Sequence, residues 1–154
     1  LFANTSLAYD ALSDGMKDML DGLIGIYSAA LKSSGGRAKR FEVNKSMNAK
    51  NMDQVDMEAE HPIVRTHPET GKKALYLGKG HTVRFKDMTE AESRPLINFL
   101  SEHCVRPEFT CRFAWGVGSL ALWDNRCTLH LAVDDYPGQR RRMRRLTIEG
   151  DKPV

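Results

Sequence analysis

Residues 123–145, WDNRCTLHLAVDDYPGQRRRMRR, hold one histidine, His130, followed by five arginines within six positions. An imidazole can ligate a metal or move a proton near neutral pH. A guanidinium is a fixed fork of N–H donors that grips a carboxylate or sulfonate at two points. CTLHLAV has the period of two of a strand: Cys127, Leu129, Leu131 and Val133 fall on one face, and Thr128, His130 and Ala132 on the other. His130 therefore sits on the small, polar face. A hydrogen-bonded or exposed histidine satisfies that pattern, and so does a metal ligand. The same period in RRMRR separates Arg141, Met143 and Arg145 from Arg140, Arg142 and Arg144. If DDYPGQ turns the chain, a hairpin brings His130 and the Arg141/Arg145 face to one side of a sheet. One face then offers an imidazole for a metal and two anion clamps, and the other three arginines face solvent.

The elements that must position these groups fit one modest domain of 154 residues, 41% hydrophobic and 28% charged. The longest apolar run, LIGIY, is too short to cross a membrane. The chain does not start at Met, so LFANTSLAYDAL reads as if it begins within a domain. No basic stretch leads into an apolar one as in a secretory signal. Three cysteines, an odd count without CxxC spacing, predict a reduced, cytoplasmic setting, with Cys111 and Cys127 as small buried hydrophobes. Residues 5–22 predict two helices broken at SDG, the second capped by Asp14. LIGIYSAAL predicts a strand, and residues 32–60 a mobile loop over a site. PIVRTHPETGKKALYLG predicts a hairpin around Pro-Glu-Thr-Gly. TEAESRPLINFLSEHC predicts a helix with Thr89 and Glu92 at capping-box spacing and a kink or restart at Pro95. FTCRFAW, SLALW, CTLHLAV and RRMRRLTI predict strands, with Phe109, Cys111, Phe113 and Trp115 sharing a face. The fold class is mainly β with flanking helices, a sandwich or barrel.

The net charge of +3 is local: removing Arg140, Arg141, Arg142, Arg144 and Arg145 gives 3 − 5 = −2. A basic run of this kind also suits a non-catalytic module that binds nucleic acid or another polyanion. The cluster lacks interleaved aromatic residues for base stacking. Its alternation suits a sheet face better than a loose arm.

WDNRCTLHLAVDDYPGQRRRMRRLTIEGDKP resembles the C-terminal segment of the taurine dioxygenase family (TauD/TfdA), the iron(II)- and 2-oxoglutarate-dependent oxygenases. HPIVRTHPETGKKALYLGKG, TEAESRPLINFLSEH and SLAYDALSDGMKDMLDGL resemble its middle and helical sections. The resemblance implies a double-stranded β-helix (jelly-roll), incomplete at its N-terminal side, with residues 1–154 as the C-terminal part of one domain. It implies that His130 is the distal histidine of a two-histidine, one-carboxylate Fe(II) site. It implies Arg141 at the far carboxylate of 2-oxoglutarate with Trp123 at the same co-substrate, and Arg145 at the substrate's anionic group. His81 matches a substrate-pocket position that is aromatic in taurine-specific members, so taurine itself is in doubt. The implied reaction hydroxylates a small sulfonate, sulfate ester or carboxylate with dioxygen and releases succinate and CO2. Neither nucleic acid nor membrane is an expected partner, and self-association is left open. The HxD or HxE that completes the metal site, and a threonine for 2-oxoglutarate, would lie upstream of Leu1. The HPE at residues 67–69 falls in the hairpin turn, where Pro68 restricts the backbone. The 154 residues alone are therefore expected to be inactive, as part of a longer enzyme or as a degenerate relative.

Overall fold

The computed structural model describes residues 1–28, 58–133 and 135–150. Strand β1 (Phe2–Asn4) runs directly into helix α1 (Thr5–Asp10). Asn4 makes both the end and the start: its backbone is extended, and its Oδ1 accepts from the N–H groups of Ser6 (3.0 Å) and Leu7 (3.1 Å). These two donors would otherwise lack partners in the first helical turn. Helix α2 (Asp14–Leu20) is capped by Ser13, whose Oγ accepts from Met16 N–H. Asp14 was the expected cap. It is instead the first helical residue, where its charge favours the helix N-terminus.

Strand β2 (Ile24–Ser28) is central in an antiparallel sheet between β3 (Glu58–Pro62) and β6 (Thr82–Phe85). Gly25 in β2 has a steric reason: a Cβ there would stand 2.8 Å from Ile63 Cδ1. The loop expected at 32–60 lies outside the described residues up to 57, and its last three positions belong to β3. Strands β4 (Val64–Thr66) and β5 (Lys73–Leu75) form the expected hairpin, in register Val64↔Leu75. Helix α3 (Glu90–Cys104) begins at the expected capping box, with Thr89 N–H donating to Glu92 Oε2 at 2.7 Å. The kink or restart expected at Pro95 does not occur. Pro95 and Ala91, the residue whose carbonyl loses its usual donor, are both exposed, so water can satisfy that carbonyl.

Ile97, Leu100 and Cys104 form the buried stripe of α3. They meet Ala8, Tyr9 and Leu12 of the first helical section, Leu20, Ile63, Leu75 of the hairpin and Phe85 of β6 in one apolar core. His103 Nε2–H donates to Ala8 O at 2.7 Å and ties α3 to α1.

After a short 3₁₀ turn (Pro107–Phe109) come β7 (Thr110–Cys111) and β8 (Thr128–His130). Both pair antiparallel with β1, in the order β7-β1-β8. The longer strands expected here are absent among the described residues. Phe113–Trp123 keeps only the glycine turn, closed by Ser119 N–H to Gly116 O, and residues 140–150 carry no ladder. Phe109 and Cys111 do not share a face: Phe109 leans on the core, and Cys111 is exposed. Cys127 is half-buried, so neither cysteine expected in the core is there, whereas Cys104 is. The described strands form three small sheets rather than a closed barrel.

Candidate active site

Strand β8 splits its two faces as the alternation requires. Leu129 turns inward and packs against the core, so Thr128 and His130 point the other way. The register sets Phe2 opposite both His130 and Cys111, and Asn4 opposite Thr128. Trp123 leans over this face, its ring 5.0 Å from Phe2 and 5.2 Å from His130. The result is an open groove of about 730 Å³ lined by Phe2, Cys111, Phe113, Leu122, Trp123 and Thr128.

The His130 imidazole is held below its ordinary pKa, first by partial burial and then by the nearby Arg145 guanidinium. Both effects favour the neutral imidazole, the form that ligates a metal. The hairpin expected to carry Arg141 and Arg145 beside His130 does not form among the described residues, and Arg145 acts on His130 through its charge alone. Arg140, Arg141, Arg142, Arg144 and Arg145 are all exposed, so the expected split into an inner pair and an outer three is not seen. What separates the two candidate clamps is their neighbours: the Arg145 charge acts on His130, and Arg141 lies 5.3 Å from the centre of the Tyr136 ring.

His81 sits apart from this groove. It borders a second cavity of about 160 Å³, which also touches Tyr27, Tyr76, Asn125, Thr128 and Leu129. Residues 128 and 129 line this cavity and precede His130, so the strand is the physical link between His81 and the histidine.

Sequence reasoning missed a clasp between two distant segments. His67, in the hairpin turn, is buried. Its Nδ1 accepts from the N–H groups of Glu69 (3.2 Å) and Thr70 (3.3 Å), and its Nε2–H donates to Asp124 Oδ2 at 3.0 Å. Arg126 grips the same carboxylate through Nε and Nη2 and reaches Glu69 Oε1 at 2.9 Å. The Arg126 hydrogen bond, helped by that from His67, holds the Asp124 carboxyl far below the usual carboxylate range. Among the described residues His67, Asp124 and Cys127 are the one group of three ligand atoms close enough for a metal, within 4.8 Å of one another. Its chemistry argues against a metal. The two donors on Nδ1 place the imidazole proton on Nε2, which faces the carboxylate, and a guanidinium already neutralises Asp124. The group pins the 67–71 turn to the segment that leads into β8. The only signal in the sequence was a histidine in a turn and an Asp-Asn-Arg run 57 residues later.

The groove holds His130 at its edge, with the charge of Arg145 acting on it and no carboxylate paired with that arginine among the described residues. The family model for the taurine catabolism dioxygenase TauD/TfdA family matches residues 1–147. The chain belongs to that family. It is 39% identical over its whole length to an alpha-ketoglutarate-dependent sulfate ester dioxygenase of Pseudomonas putida, covering 51% of that protein. It is 38% identical over 97% of its length to an alkylsulfatase of Acinetobacter baylyi, covering 47%. A solved taurine dioxygenase from Burkholderia xenovorans superposes with a TM-score of 0.64 at 35% identity, over 82% of this chain and 37% of that one. The chain thus spans about half the length of the curated relatives it matches, as expected for a C-terminal portion.

Proposed function

We propose that this chain is the C-terminal portion of a single iron(II)- and 2-oxoglutarate-dependent dioxygenase domain that hydroxylates a small anionic substrate. Sulfate esters, sulfonates and carboxylates are the candidate classes. The observation that carries this reading is His130 on the open face of β8, with the Trp123 ring 5.2 Å from it, Phe2 opposite it and Arg145 within electrostatic reach. Among the described residues no carboxylate pairs with Arg145. A divalent ion on His130 would then face an unneutralised cation, and an anion between them removes that repulsion.

His130 fits one ligand position: its surroundings favour the neutral imidazole, and Trp123 and Phe2 flank it on an otherwise open face. The remaining ligands belong outside these 154 residues. Bound iron supplies the dioxygen chemistry that couples conversion of 2-oxoglutarate to succinate and CO2 with hydroxylation of the substrate. The chain's own residues bind and orient. Arg141 holds the far carboxylate of 2-oxoglutarate, Trp123 lies against the same co-substrate beside the histidine, and Arg145 draws the substrate's anionic group toward His130. His81 borders the pocket for the rest of the substrate.

The test uses the full-length protein. His130→Ala should lower 2-oxoglutarate turnover by about a hundredfold or more. Full iron-dependent turnover in that variant would show the ligand assignment to be wrong. Arg145→Ala should weaken the anionic substrate about tenfold, the size of a lost charged hydrogen bond, with 2-oxoglutarate affinity kept. Equal losses for both would count against the division between the two arginines.

A further inference from the structure

Arg141 is held in place by its own turn. Its guanidinium carbon stands 5.3 Å from the Tyr136 ring centre, within the range at which an aromatic face attracts a cation. Gln139 N–H donates to Tyr136 O at 3.1 Å, closing a turn, and Gly138 adopts φ +73° inside it. Glycine takes that conformation without a Cβ clash. The fold-back brings residue 141 over residue 136.

The residue before Tyr136 is anchored as well. Asp135 forms an ion pair with Arg112, just past β7. This pair ties the turn to the sheet edge. It also occupies the carboxylate nearest in sequence to Tyr136 among the described residues, and no described carboxylate pairs with Arg141. The Arg141 fork is therefore positioned without being neutralised. An arginine already resting on a ring loses less freedom when a ligand arrives, and its N–H donors lie at the edge of the guanidinium plane.

From this geometry we infer that Tyr136 is a positioning residue for 2-oxoglutarate: its ring holds the Arg141 guanidinium ready for the co-substrate's far carboxylate. The inference rests on the role proposed above for Arg141. It gives the half-buried Tyr136 a part in co-substrate affinity and none in substrate affinity.

The experiment measures 2-oxoglutarate and substrate dissociation constants by calorimetry on the iron-loaded full-length protein, for wild type, Tyr136→Leu, Tyr136→Phe and Arg141→Ala. Tyr136→Leu should weaken 2-oxoglutarate about two- to fivefold, the size of one exposed cation–π contact. Tyr136→Phe keeps the aromatic face and should stay within about twofold of wild type. Substrate affinity should not change in either. If Tyr136→Leu binds 2-oxoglutarate normally while Arg141→Ala does not, the inference about Tyr136 fails and the clamp assignment stands. If Arg141→Ala also binds normally, the clamp assignment itself falls and takes the inference with it. Parallel loss of both ligands in Tyr136→Leu would mark a merely structural role and overturn the inference.

Discussion

The described residues before β7 and those after it follow different physical rules. Before β7, apolar side chains from α1, the β4–β5 hairpin, β6 and α3 close on one another, and Phe85, Leu20, Ile97 and Leu100 are fully buried. After it, in the arm formed by the described residues of 112–150, large apolar side chains are uncovered in this chain, which spans about half the length of its relatives: Val117 is 112% exposed, Leu120 90% and Leu146 96%. Soluble surfaces rarely present so many large apolar groups in one stretch. Yet His130, Arg141 and Arg145 all lie in this second region. The difference teaches that the stable part of the molecule and the candidate chemical part are separate. They meet at Leu129, which reaches the core, at β1, and at the His67–Asp124–Arg126 clasp.

Four measurements sharpen or break this comparison. The largest expected effect is Phe85→Ala, which should cost about 3–5 kcal/mol in chemical denaturation of the 154-residue chain, whereas Ile148→Ala in that chain should change stability by about 0.5 kcal/mol or less. A comparable cost at Ile148 would mean that the arm is covered and the contrast is false.

His67→Ala comes next, at about 2 kcal/mol, because it removes one hydrogen bond to Asp124 and leaves two backbone donors without their acceptor. If it cost nothing, the clasp would not couple the regions.

Acid should separate the clasp from an ordinary surface pair. Asp124 has a folded pKa below its unfolded value of 3.8, so its contribution is present above 3.8 and is lost as pH falls through the lower folded value. Wild type should therefore lose stability relative to Asp124→Asn only as the pH drops below the usual carboxylate range. Parallel stability–pH curves for the two proteins would break the assignment.

The smallest perturbation is chemical labelling. Burial pushes the Cys104 thiol up to about 12, whereas Cys111 is exposed. Alkylation at neutral pH should modify Cys111 first and Cys104 only after denaturation. Early loss of Cys104 would show that the core region opens as readily as the arm.

Much of the compact region was legible in the sequence, because its signals are local. The Thr89/Glu92 capping box, the helix break at SDG and the 64–75 hairpin each depend on residues a few positions apart. Asp14 was misread as a cap because Ser13 beside it has an equally suitable side chain. The arm was less legible. Alternation in FTCRFAW and RRMRR is necessary for a strand but does not supply a partner, and hydrogen-bonded ladders formed only where β1 lies alongside. For the same reason the buried cysteine is Cys104, placed by helical spacing, and neither Cys111 nor Cys127.

The sequence by itself determined the candidate groups, one histidine on the polar face of CTLHLAV and a run of five arginines after it, and family membership through residues 1–147. Those facts need only residue identity and spacing. The tertiary structure alone decided who meets whom. It set Trp123 and Phe2 against His130, put Arg145 near that histidine and Arg141 on Tyr136, and joined His67 to Asp124. His67 and Asp124 are 57 residues apart and Phe2 and His130 lie at opposite ends of the chain, and even the contacts within 123–145 depend on how turns close in space, which no period along the chain encodes.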